Sequence, residues 1–152
     1  MFDADKNLVT LKTLADTLSD SINGYRDAAE HVQASEYREL FTSMASDREA
    51  ALNSLNALIE EHGAEGETGG TTLGHLHQSW LDFKARVTGR DDKAIINEVE
   101  RGEDYLKGKF EDAMKLENLD ASTRTAIDEA YSSVRQGHDR VSALKHQLEA
   151  TA

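Results

Sequence analysis

Residues 95–114 read IINEVERGEDYLKGKFEDAM, and their spacing decides the architecture. Ile96, Val99, Leu106, Phe110 and Ala113 advance in threes and fours, with one step skipped after Val99. This is the spacing that stacks side chains along one face of a helix. The skipped step holds Glu103, with Gly102 beside it. A carboxylate on the core seam in mid-helix is costly unless something pairs with it. A helix with one such stripe needs other helices around it, and two of those carry a polar residue of their own, Arg48 and His138.

The neighbouring segments supply those helices. Asp3 or Asp5 can cap a first helix running to about residue 31 or 32, with Leu8, Leu11, Ala15, Leu18, Ile22, Tyr25, Ala29 and Val32 as its seam. After a short break at Gln33 and Ala34, Ser35 is placed to cap a second helix over 36–62, which stops at Gly63. Its seam passes through Tyr37, Phe41, Met44, Ala51, Leu55 and Leu58, with Arg48 as the one charged interruption. The short break makes these two helices an antiparallel hairpin.

Residues 63–72 (GAEGETGGTT) read as an exposed loop. Thr71 or Thr72 then caps a shorter helix over 73–88, closed by Gly89, with Leu76, Trp80, Phe83 and Val87 on its apolar face. It spans roughly 24 Å against roughly 38 Å for the long helices. That length suits a strut carrying the chain from one end of a bundle back to the other. Asp91 or Asp92 caps the central helix, which ends near Glu117, and Ser122 caps a last helix running towards Glu149. The expected fold is all-α: a single domain over 1–152, built as two antiparallel hairpins joined by a long crossover that contains a short fifth helix.

Composition narrows the function classes. The 152 residues suit one domain with a genuine core, and the absence of proline and cysteine suits long helices without disulfide or thiol chemistry. A net charge of −12 repels phosphate backbones and anionic lipid surfaces, so neither nucleic acid nor membrane is an expected partner. No apolar run approaches the roughly 20 residues of a membrane span. The start, MFDADKNLV, is acidic where a signal peptide is basic and then apolar, which points to the cytoplasm.

The polar positions can be ranked by depth. Arg48 lies 13 residues after Ser35, and Glu103 lies 11 after Asp92. On parallel helices that places them within ~3 Å of the same height. Glu103 and His138 come level too, on either side of the last turn. The same count on the first helix reaches residues 19–22, where Leu18 and Ile22 present an apolar surface. The expected core is therefore a polar layer of Arg48 and Glu103, hydrogen-bonded to His138 and Tyr25, with Tyr131 as a substitute for Tyr25. The alternative is a metal centre on Glu100, Glu103 and His138. Carboxylate-bridged sites in such bundles take a Glu from each of two helices and Glu-x-x-His from each of the other two. Here Arg135 precedes His138 where that Glu belongs, and Glu49 is followed by Leu52 instead of a histidine. A guanidinium neutralises the acid as a metal would. No cofactor is expected; iron or manganese belongs to the alternative.

The remaining polar features read more simply. His75 and His77 point in different directions on a helix, and His31 and His62 sit at helix ends, where a cation relieves the dipole. Trp80 reads as a packing anchor. No phosphate loop or nucleophile elbow is present.

The segments INGYRDAAEHV (22–32), LHQSWLDFKARVTGRDDKAIINEVERGEDYL (76–106) and VRQGHDRVSALK (134–145) resemble an uncharacterised bacterial family of ferritin-like four-helix bundles, a domain of unknown function. The resemblance implies the ferritin-like fold and no assigned reaction. Two function classes follow. One is a non-enzymatic bundle acting through protein–protein contacts, in a stress-related setting, and forming a homodimer or small homo-oligomer with a protein partner still to be identified. The other is a diverged metal-dependent oxidoreductase or metal-storage relative. The incomplete ligand motifs favour the first.

Overall fold

A computed structural model describes residues 4–62 and 83–150, and among them all regular structure is helical. The elements are α1 (Ala4–His31), α2 (Ser35–Glu61), α3 (Phe83–Val87), α4 (Asp92–Met114) and α5 (Ala121–Ala150). The seams read from the sequence are the buried faces. Leu11, Leu18 and Ile22 of α1, Phe41, Met44 and Leu55 of α2, Ile96, Val99, Leu106 and Phe110 of α4, and Ile127, Val134 and Val141 of α5 are all removed from solvent.

α1 packs on α2 and α4 packs on α5; the hairpins meet through α1 against α4 and α2 against α5. Around the square the order is α1, α2, α5, α4, which leaves α2 and α4 on a diagonal. Four hydrogen-bonded or charged contacts orient them. At one end, the N–H groups of Gln33 and Ala34, between α1 and α2, donate to the carboxylate of Asp92 at the start of α4 (2.8 and 3.0 Å). At the opposite end, which we call the base, His62 after α2 faces Asp120 ahead of α5 at 3.6 Å. The Asp120 N–H also donates to Asn7 Oδ1 near the start of α1 (3.0 Å). α2 therefore finishes at the base and α4 starts at the far end, so the two run parallel and the connection between them crosses the whole bundle. This is the ferritin-like topology.

Several element boundaries differ from the sequence-based ones for identifiable reasons. Ser35 is the first residue of α2 and not its cap; Ala34 precedes the helix with no side-chain cap of its own. Asp92 on another helix instead holds the turn ahead of α2, through the N–H groups of Gln33 and Ala34. At α4 the capping residue is Asp91, whose carboxylate accepts from the Ala94 N–H at 2.8 Å. Asp120, ahead of Ser122, caps α5 by accepting from the Thr123 N–H at 2.7 Å. α4 stops at Met114, short of Glu117, and Asn118 takes the left-handed conformation (φ 66°) that turns the chain into α5. Of the expected crossover helix over 73–88, the described part is α3, which ends at Val87; Gly89, at φ 74°, follows it. Phe83 and Val87 are buried against α1 and α4. The rest of that segment, with His75, His77 and Trp80, lies outside the described residues.

The apolar core has two parts. The basal one gathers Leu11 to Ile22, Ala51 to Ile59, Leu106 to Ala113 and Ile127 to Val134; the far one gathers Tyr25 to Val32, Phe41 to Ala45, Ile95 to Val99 and Val141. The level between them is where the two charged seam residues lie.

Replacing Asp92 with alanine leaves two turn N–H groups without their acceptor. The expected loss is about 1–2 kcal/mol, or about 2–4 °C in Tm for each kcal/mol in a chain of this size. Calorimetric melts of Asp92→Ala beside Asp91→Ala, which removes only a local cap, check this.

Candidate functional site

The level between the two cores is built by four helices. α4 carries Glu103 inward because Ile96, Val99 and Leu106 hold its seam against the bundle. α2 does the same for Arg48 through Met44, Ala45 and Leu52. Both charged side chains are wholly buried. Their contact crosses the diagonal between two helices that do not otherwise pack together, a gap that suits the length of an arginine.

The contact is bidentate. Arg48 Nη1 donates to Glu103 Oε1 at 2.7 Å, and Nη2 donates to Oε2 at 2.8 Å. Two parallel charge-assisted bonds in this fork geometry are among the strongest polar contacts a protein makes. Tyr25 of α1 donates its hydroxyl to Glu103 Oε1 at 2.6 Å, and Arg48 Nη1 also bonds Ser21 Oγ at 3.0 Å. The guanidinium carbon lies 5.6 Å from the centre of the Tyr25 ring, which in turn packs on Phe41 at 5.7 Å between centroids. One donor, Arg48 Nε, has no hydrogen-bond partner.

The protonation states follow from these surroundings. Burial first, and then the adjacent Glu103 carboxylate, push the Tyr25 phenol well above its ordinary range, so it remains a donor. For Arg48, burial works against the charged form, but the Glu103 carboxylate and Tyr25 outweigh it and the guanidinium holds its proton more tightly than usual.

α5 contributes space. A Cβ on Gly137 would stand 2.5 Å from both Arg48 Nη2 and Met44 Cε. Glycine on that seam lets the guanidinium lie against the α5 backbone.

Of the residues expected in the layer, Arg48, Glu103 and Tyr25 come together and His138 does not. His138 is level with them but turns outward, its Nε2 2.6 Å from Asp104 Oδ1 and its Nδ1 3.5 Å from Asp139. Glu100 also faces away, accepting from Lys145 Nζ at 2.9 Å. Tyr131 donates to Glu111 at 2.9 Å and has no part in the layer. Ser21 and Gly137 were not anticipated. Ser21 lies within the 19–22 stretch reached by the rise count, between the apolar Leu18 and Ile22. Gly137 stands on the α5 seam level with Arg48, which is the signal for a close approach.

This geometry does not suit a metal ion. Both Glu103 oxygens already accept hydrogen bonds, and the guanidinium supplies the positive charge a metal would bring. Glu100, Glu103 and His138 are each engaged with a different residue, and among the described residues no group of three or more His, Asp or Glu is placed to hold an ion.

Fold and layer together define the class, a ferritin-like four-helix bundle with an organic ion pair at its centre. The structure is similar to that of the dodecameric thioferritin, a bacterioferritin-related protein of Bacteroides fragilis, with a TM-score of 0.76 over 99% of this chain and 90% of that one, at 12% identity. It is also similar to Dps from Thermosynechococcus elongatus, with a TM-score of 0.70 over 92% of this chain and 90% of that one, again at 12% identity. At such identity the likeness is one of fold. By sequence, residues 6–116 match a domain of unknown function (DUF2383), and the chain belongs to that family. No curated protein matches it in sequence. Among the described residues no helix is long and apolar enough to cross a membrane.

Truncating either charge strands the other. Arg48→Met and Glu103→Leu are each expected to cost about 3–5 kcal/mol, with the double variant far milder than their sum. Denaturant titrations of the three variants measure that coupling. Gly137→Ala is expected to cost about 1–3 kcal/mol by displacing Arg48 and Met44. Most of that loss should vanish in the Arg48→Met, Glu103→Leu background, as thermal melts would register.

Proposed function

We propose that this chain works as a metal-free, non-enzymatic ferritin-like bundle, one domain over residues 1–152, whose outer surfaces carry its role through self-association and protein contacts. One observation supports this above the others. Where a bundle of this topology places bridging metals among carboxylates, Arg48 binds Glu103 through both oxygens. An arginine cannot give up its proton at physiological pH, so the acid keeps a built-in counter-ion and has no charge left for a metal to neutralise. Surface activity is then what remains for the fold to do. The dodecameric state named for the thioferritin supports self-association for a chain of the same fold.

Elemental analysis of protein purified without chelators, and again after incubation with ferrous or manganous salt, tests the metal-free part. Substoichiometric iron and manganese are expected in both. Near-stoichiometric metal that is lost in Glu103→Gln would overturn the proposal and install the metal-storage or oxidoreductase alternative.

A further inference from the structure

We propose that the groove between the basal halves of α1 and α4 is a self-docking face, which takes the same face of a second copy about a two-fold axis. The groove, about 190 Å³, has Leu14, Ala113 and Leu116 in its lining, with Val9 on one side and Lys109 and Asp112 on the other. Val9 is 64% exposed and is the one large apolar side chain so exposed among the described residues. An apolar residue held out beside an apolar groove is the arrangement in which each of two identical faces offers the other both a knob and a hole.

Charge selects the occupant. Two copies bring a net −12 each, so self-association is resisted wherever acids face acids. A second furrow, between α2 and α5, is lined by Asp47, Glu61 and Glu129 with no lysine or arginine; turned on itself it sets carboxylates against carboxylates. The α1–α4 groove has one base and one acid, three residues apart on α4. A two-fold axis between them brings Lys109 against the partner's Asp112 and Asp112 against the partner's Lys109, as an isologous interface requires. Lys109, whose ammonium lies 5.3 Å from the Tyr105 ring centre, is already held along this face. A nucleic acid or an anionic surface finds no net positive charge there, whereas a second copy finds a balanced one.

The inference rests on the self-association part of the proposed function and names its interface. Sedimentation velocity of the wild-type chain and four variants tests it. The wild type should dimerise. Val9→Asp should weaken the dimer about tenfold or more by placing an unpaired acid in the groove. Lys109→Asp and Asp112→Lys should each be monomeric alone, yet pair when mixed in equal amounts, because every contact in the mixed dimer joins an acid to a base. The Lys109→Asp, Asp112→Lys double variant should dimerise with itself. Circular dichroism melts should leave the fold of each variant intact, since all three residues lie at the surface. A wild-type chain that stays monomeric at its highest soluble concentration overturns both this proposal and self-association. An assembly that survives Val9→Asp, or single charge variants that fail to pair on mixing, overturns this interface and leaves self-association standing.

Discussion

The bundle depends on a bond that has to span its diagonal. Taking a carboxylate and a guanidinium out of water costs several kcal/mol for each ion, and their attraction offsets this only when geometry is close to ideal and the remaining donors and acceptors are used. That requirement explains the residues around the pair. Tyr25 and Ser21 engage it from α1, the Tyr25 ring offers a face to the guanidinium, and α5 gives way with a glycine. Each of the four long helices thus has a part at this level that hydrophobic packing alone would not ask of it. The layer also fixes register. If one helix slid by a turn, about 5.4 Å, Glu103 would face apolar side chains and Arg48 would lose both of its oxygens.

Much of this was legible because helices announce themselves by period. The four long seams and the parallel run of α2 and α4 follow from spacing and length, and the two charged interruptions could be matched by counting rise along parallel helices. What resisted reading was azimuth. His138 and Glu103 stand at one height, but height says nothing about which way a side chain leaves the helix, and His138 leaves towards Asp104. Ser21 was hidden by the apolar residues beside it. The Asp91 cap was legible because it is local, whereas the expected Ser35 cap was not found and the α1–α2 turn takes its acceptor, Asp92, from another helix. No window of sequence around Ser35 contains it.

A metal centre and a salt bridge solve the same electrostatic problem with different consequences. A bound ion brings open coordination positions, redox states and dependence on supply. A guanidinium brings directional hydrogen bonds and none of the rest. Glu103 with Arg48 uses both carboxylate oxygens and both Nη groups and leaves Arg48 Nε without a partner, so at this level the pair supplies the counter-charge that a bound ion would otherwise bring.

The Asp92 contact bears on the order in which the chain is made. Gln33 and Ala34 donate to a carboxylate 59 and 58 positions further on. On a ribosome the whole first hairpin emerges, and α2 in full, before the residue that completes its turn has been added. Until then those amides are served only by water, and the turn is bridged from within the hairpin by Arg38, which donates to the carbonyls of Ala29 and Val32. The hairpin is closed at its tip by the start of the second hairpin, so the first half of the molecule is finished only once the other half exists.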